Sequence, residues 1–405
     1  MIAIGGENLI DLVSSSFNPE GLPIYLANPG GSPYNVAIAA SKQGGNVSYL
    51  TPLSKDTLGV LLSSRLKENG VKILSKSISN PTSLAVVSIS EGIPSYSFHR
   101  NETAERKVNL ENLLDIIPIN TKIFHVGSLG LIEGKDAEIW EIFFKKCKQK
   151  GFITSLDPNV RPILINDRES YIKRLERMFL DADILKLSDE DLNWLYPNNS
   201  IDYSFEILQS KTNAKLLILT FGEKGSIGKT SHFEINMPSE KISDLKDTVG
   251  AGDTYMASIL TWFIENKIFD SNLIENLKKT DLSLMMNKAS IAAALNCKKI
   301  GCNPPSKVDI ESFKKMCDSK NIWGFDNKSL RVGIRPWSQF NMHNLISSNK
   351  EHFNWDGHPN EQGQRKLGNQ VFDLYNEIVN GDESFSINQS SLKRKWKMSR
   401  VFGKK

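Results

Sequence analysis

Short apolar runs punctuate the middle of this chain: Ile123-Phe124-His125-Val126, Ile153-Thr154-Ser155-Leu156, Ile184-Leu185-Lys186-Leu187 and Leu216-Leu217-Ile218-Leu219. Each is too short for a buried helix and suits a strand covered on both faces. Helical patterns, such as residues 137–150, lie between them. Strands alternating with helices specify an α/β fold built on a mostly parallel sheet with helices on both faces. Ligands of such folds bind outside the carboxyl ends of the strands. Here the runs end in Gly127-Ser128, Asp157-Pro158-Asn159, Ser188-Asp189-Glu190 and Thr220-Phe221-Gly222, polar or glycine residues expected to converge on one crevice. Between residues 82 and 100 the texture changes. Leu84 to Ile89 and Ser95 to Phe98 flank Glu91-Gly92, which predicts a hairpin with Pro94 near an edge. With residues 24–27 it is expected to form a small antiparallel β lid that keeps water from the chemistry beneath.

Several function classes are disfavoured at once. A net charge of +4 over 405 residues gives no case for a nucleic-acid partner. Cys147, Cys297, Cys302 and Cys317 form no C-x-x-C pair, so neither a zinc site nor a disulfide framework is expected. A reducing, cytoplasmic setting fits that usage. The opening Met1-Ile2-Ala3-Ile4-Gly5-Gly6 has no basic region or long apolar run, and no stretch reaches the length of a membrane span. No secretory signal and no membrane partner are expected. Gly5-Gly6-Glu7 is not a G-x-G-x-x-G turn, which disfavours a dehydrogenase.

The chemistry concentrates in Asp247-Thr248-Val249-Gly250-Ala251-Gly252-Asp253. Met256, Ile259, Leu260, Phe263 and Ile264 follow at helical spacing, so the run reads as a glycine-rich turn opening a helix. Small residues let backbone amides approach a ligand, and amides at a helix N-terminus favour an anion. A carboxylate at Asp253 makes a poor anion binder. It makes a good base for removing a proton from an attacking hydroxyl. Phosphoryl transfer from a nucleotide to an alcohol is the reaction these residues predict.

A second run, Gly30-Gly31-Ser32-Pro33-Tyr34-Asn35-Val36-Ala37, reads as a loop entering a helix, with Ser32 as its N-cap and Pro33 in its first turn. Both runs, in this order, match signatures of the PfkB, or ribokinase-like, sugar kinases. Over about residues 1–317 the chain resembles that family, within it the fructokinase and 2-keto-3-deoxygluconate kinase branch. The resemblance implies a ribokinase-like kinase domain over residues 1–318, with lid segments at about 12–30 and 82–104.

Site roles follow residue by residue from the resemblance. Asp253 matches the catalytic base, and Gly250, Ala251 and Gly252 supply the amides that hold developing charge. Asp11, Gly30, Gly31, Asn35, Arg100 and Arg161 match sugar-binding positions. Thr220, Gly222 and Gly225, in Thr220-Phe221-Gly222-Glu223-Lys224-Gly225, match the nucleotide loop, joined by Ser188, by Asn287 and by Gly301-Cys302-Asn303-Pro304-Pro305 near the adenine. Where the family often has Asn-x-x-Glu, linked to magnesium and phosphate, this chain has Ser188-Asp189-Glu190-Asp191. The shorter Asp191 is expected to reach the metal through a water. The implied small-molecule partners are ATP and a sugar, with Mg2+ and a monovalent cation such as K+. Fructose leads as substrate and 2-keto-3-deoxygluconate follows. A homodimer through the lid is a further implication, and a non-catalytic scaffold is the alternative from another class.

Residues 319–405 read as a C-terminal extension with a basic end at 393–405. Its Asn354-Trp355-Asp356-Gly357-His358-Pro359-Asn360-Glu361-Gln362-Gly363 resembles the last block of SGNH hydrolases, over about residues 331–379. No Gly-Asp-Ser-like strand end supplies the nucleophile, so the extension reads as a hydrolase remnant without acyl-transfer activity.

Overall fold

A computed structural model of the chain describes residues 1–90 and 93–319. The chain divides into two compact units, Met1–Ser312 and Phe313–Lys405, and both sheets lie in the first. The SGNH-like block and the basic end at 393–405 lie outside the described residues.

Strands β1 (Ile2–Ile4), β2 (Leu9–Phe17), β3 (Pro23–Gly30), β4 (Val47–Tyr49), β5 (Lys72–Ile73), β6 (Leu84–Ser90) and β7 (Ile93–His99) come from the first quarter of the chain. Strands β8 (Ile123–Gly127), β9 (Ile153–Asp157), β10 (Ile184–Ser188), β11 (Leu216–Thr220), β12 (Ser226–Lys229) and β13 (Glu234–Met237) follow. The larger sheet has nine strands in the order β13-β12-β11-β10-β9-β8-β1-β4-β5. It is parallel from β11 to β5, and β12 and β13 add an antiparallel edge. The apolar runs at 123, 153, 184 and 216 are its central strands, as their length predicts.

Two apolar cores lie on opposite faces of this sheet. One joins Ile4, Ile123, Ile153 and Ile184 to helices α1 (Ser32–Lys42) and α2 (Thr57–Glu68). The other joins Phe124, Leu156, Leu185 and Leu187 to α3 (Leu110–Ile116), α4 (Lys135–Gln149), α5 (Arg168–Asp181), α6 (Asp189–Leu195) and α7 (Ile201–Ser210). Helices α8 (Ala251–Glu265), α9 (Ser271–Glu275) and α10 (Lys279–Cys297) return to the first face, and α11 (Lys307–Ser319) follows. Side chains alternate across a strand. Lys186 therefore shares the α1/α8 face with Ile184, while Leu185 and Leu187 point away.

The lid is a separate four-stranded sheet in the order β3-β2-β6-β7. Its outer pairs are antiparallel, and Pro94 lies on the β7 edge as expected. The lid is thus antiparallel in its two outer pairs, as expected, and its central β2–β6 pair is parallel. Between β2 and β6 the chain makes a long crossover through β3, α1, β4, α2 and β5, the kind of connection that parallel neighbours require. No described helix is long and apolar enough to cross a membrane.

Candidate active site

Helix α8 starts from Gly250, whose φ of +75° is the left-handed conformation glycine tolerates best. A Cβ at this position would also stand 2.3 Å from Cys302 Sγ. Asp253 is the third residue of the helix and is buried. A buried carboxylate needs hydrogen-bond donors. Asp253 Oδ1 accepts from Ser32 Oγ at 2.6 Å, and Oδ2 accepts from Asn35 Nδ2 at 2.8 Å. Burial raises its proton affinity above the usual aspartate range, with Asp157 adding to the shift and the two donors and Lys186 opposing it. That makes Asp253 a stronger base than a solvated aspartate.

The donor arrangement corrects the expectation that Ser32 caps α1. The cap is Gly31, at φ +108°, and Ser32 is the first helical residue, followed by Pro33. Gly31 packs so tightly on the loop after β1 that a Cβ would lie 2.9 Å from the Glu7 carbonyl oxygen. Ser32 is thereby turned inward. Its N–H donates to Glu7 Oε1 at 2.8 Å while its hydroxyl holds the base. Glu7 is fully enclosed, and burial raises its pKa to about 7.

One amide of the expected anion hole is already engaged. Ala251 N–H donates to the Thr248 carbonyl at 3.1 Å, within the turn itself. Beside Gly252 stands a cation the motifs did not reveal: Lys186 Nζ lies 3.6 Å from where a Gly252 Cβ would be. Lys186 pairs with Asp157 at 2.7 Å, and both are buried. Burial pulls Lys186 toward neutrality, but the Asp157, Asp191 and Asp253 carboxylates together outweigh it and keep the ammonium charged.

Ser188 and Asp191 form a capping box at the start of α6. Asp191 Oδ2 accepts from Ser188 N–H and Oγ, at 2.8 and 2.7 Å, and Oδ1 accepts from Val160 N–H at 2.7 Å. Both oxygens are thus tied to the protein. Among the described residues no group of three His, Cys, Asp or Glu side chains is placed to hold a metal. Asp191 therefore does not fit as a direct magnesium ligand.

On the lid side, Asp11 packs against Gly30, where a Cβ would meet Asp11 Oδ2 at 2.4 Å. Burial raises the Asp11 pKa to about 6, with Arg161 pulling it back. Arg161 itself is exposed and donates to the Asn159 and Val160 carbonyls. Arg100, just after β7, turns inward and donates through Nε to Glu105 Oε1 at 2.9 Å.

On the nucleotide side, Thr220 pairs in register with Ser188. Gly222 has φ +54° and open space above it. Gly225 has φ +104°, and a Cβ there would meet the Met237 carbonyl at 2.1 Å. Asn287 is half-buried on α10. His125 lies in the core, hydrogen-bonded to Ser155 at 3.0 Å and held neutral by burial, with a pKa of about 3.

The structure therefore joins Asp253, Ser32, Asn35, Gly252 and Lys186 directly, and Asp11 to Gly30. Arg161 is linked to that side through its field on Asp11, while Arg100 is drawn to Glu105. Ser32, Glu7, Asp157 and Lys186 had no assigned place in the site. A lysine inside an otherwise apolar strand was the signal for the last.

Residues 25–309 match the family model described as pfkB family carbohydrate kinase. The probable fructokinase-3 of Arabidopsis thaliana is 31% identical over 79% of this chain and 92% of its own length. The fructokinase of Rhizobium leguminosarum bv. trifolii is 33% identical over 64% of this chain and 78% of its own. The crystal structure of fructokinase with bound ATP from Xylella fastidiosa superposes with a TM-score of 0.71 at 25% identity, covering 78% of this chain and 98% of that one. The expected ribokinase-like fold is thus the observed one, and the chain belongs to the pfkB family of carbohydrate kinases.

Proposed function

We propose that the chain transfers the γ-phosphoryl group of ATP to a primary hydroxyl of fructose, with Asp253 as the base. The observation that carries this reading is the buried Asp253 carboxylate, held between Ser32 and Asn35 at the N-terminus of α8. Fructokinase relatives support the sugar, and the ATP-bound Xylella fastidiosa fructokinase supports the nucleotide.

The sugar lies under the lid, with Asp11 and Asn35 toward its hydroxyls. Asp253 takes the hydroxyl proton as the oxygen attacks in line. The Gly250 and Gly252 amides and the Lys186 ammonium face the charge that develops on the transferred group. Thr220, Gly222, Gly225 and Asn287 line the nucleotide path. A divalent cation would arrive on the nucleotide's phosphates and neutralise their charge.

A coupled ADP-release assay across fructose, 2-keto-3-deoxygluconate, ribose and adenosine, with and without K+, tests the reading. Fructose should turn over best, and the absence of ADP release with every sugar would overturn it. The second substrate reading, 2-keto-3-deoxygluconate, rests on Arg161, the arginine left exposed with its field on Asp11.

Two further readings accompany this one. Turnover resides in residues 1–318, and a chain ending there that lost it would overturn that boundary. The lid pairs two copies of the chain, because Phe17, Leu22 and Leu26 of β2, β3 and their turn are 69%, 62% and 55% exposed beside an edge strand.

A further inference from the structure

Arg100 spends its charge inside the protein. Its Nε bonds Glu105 Oε1 at 2.9 Å, with the two side chains only 10% and 1% exposed. Glu105 is held in turn. It sits in a tight turn at Ala104–Arg106, whose first N–H donates to the Pro81 carbonyl, and Ser83 Oγ lies 2.9 Å from its Oε1. A second buried carboxylate, Glu7, stands within electrostatic reach of both. Glu7 is the residue that anchors Ser32, and Ser32 holds Asp253. This cluster is therefore one link away from the base, and it contains two carboxylates for one guanidinium. Arg161, by contrast, is exposed, and Asp11 feels its field.

We infer that Glu105 is a specificity-determining residue that commits Arg100 to an internal ion pair, so that the site accepts an uncharged sugar and rejects one bearing a carboxylate. The inference rests on the sugar-kinase reading above. An acidic sugar that claimed Arg100 would strand Glu105 as an unpaired buried charge, and it would meet Glu7 as well. Specificity built on such like-charge opposition costs nothing to a neutral substrate. A hydroxyl asks only for a hydrogen-bond donor. Arg100 Nη2, buried and without a hydrogen-bond partner among the described residues, remains able to donate.

The test uses the full chain as wild type, Glu105→Gln and Glu105→Asp, with kcat/KM measured for fructose and for 2-keto-3-deoxygluconate. Wild type should prefer fructose. Glu105→Gln should move the ratio toward the acidic sugar by about tenfold or more, and Glu105→Asp, which keeps the charge, should restore it. In wild type alone, 2-keto-3-deoxygluconate should inhibit fructose turnover with a Ki at least about tenfold above the fructose KM. That arm holds even where a variant fails to fold. Fructose turnover with an unchanged ratio in Glu105→Gln, or a Ki at or below the KM, would overturn the role of Glu105 while leaving the kinase reading intact. Absence of turnover with either sugar would instead overturn the kinase reading, and this inference with it.

Discussion

Ser32 and Asp253 stand 221 positions apart in sequence, yet their side chains meet at 2.6 Å across the first turns of α1 and α8. The hydroxyl proton of Ser32 favours the ionised carboxylate. Burial already raises the pKa of Asp253, and this bond holds the rise in check. Ser32→Ala should raise it further, so the acid limb of the kcat/KM profile should move to higher pH. At neutral pH the rate should fall by about tenfold. An acid limb that stays in place would show that Ser32 does not tune the base.

Lys186 and Asp157 form a buried ion pair beneath the same helix start. Lys186→Met leaves Asp157 charged and unpaired in the interior, which should cost about 3–5 kcal/mol of stability and most of the turnover. Replacing both residues, as Lys186→Met with Asp157→Leu, should recover much of the stability but not the activity. Chemical denaturation of the two variants separates these outcomes, and an unchanged midpoint in the single variant would contradict the pairing.

Glu7 predicts a pH-dependent stability. Its pKa in the folded chain is raised from 4.5 to about 7 by burial. Between those values the folded state binds more protons than the unfolded state, so stability falls as pH rises. Protonation supports the fold fully below about pH 4.5, and that support is lost through about pH 7. The difference is on the order of 3 kcal/mol. Glu7→Gln can still accept the Ser32 N–H, so it should flatten this dependence and gain stability over wild type at about pH 8. Parallel wild-type and variant curves would refute the assignment.

The exposed lid face predicts an assembly. Phe17→Asp combined with Leu26→Asp should convert a dimer into a monomer in light scattering, because a charge on an apolar edge face opposes pairing. A wild-type chain that runs as a monomer at high concentration would dispose of the lid interface.

Much of the fold was legible because buried parallel strands leave a simple trace. Ile153, Leu156, Ile184 and Leu187 all lie in the central strands that their runs predicted. The glycine-rich turn that opens α8, with Asp253 in its first turn, was read from the glycines and the helical spacing, whereas the left-handed Gly250 and the burial of Asp253 are seen only in the structure. What was not legible depended on which side chains meet once the chain has packed. Ser32 has the local pattern of a helix cap, and only the approach of Gly31 to Glu7 turns it toward Asp253. The sequence does not show that Arg100, matched to a sugar-binding position, also pairs with Glu105, which a turn five residues later carries back to it. Asp191 matched a metal-linked position, and the sequence does not show that its carboxylate also accepts from Ser188 and Val160.

The central claim concerns the proton that Asp253 removes. ADP release with fructose, followed in wild type and Asp253→Asn alongside ATP affinity by calorimetry, tests it most directly. Turnover should fall by about a thousandfold while ATP binds within about threefold of wild type. An Asp253→Asn variant that retains a substantial part of wild-type turnover would contradict the account.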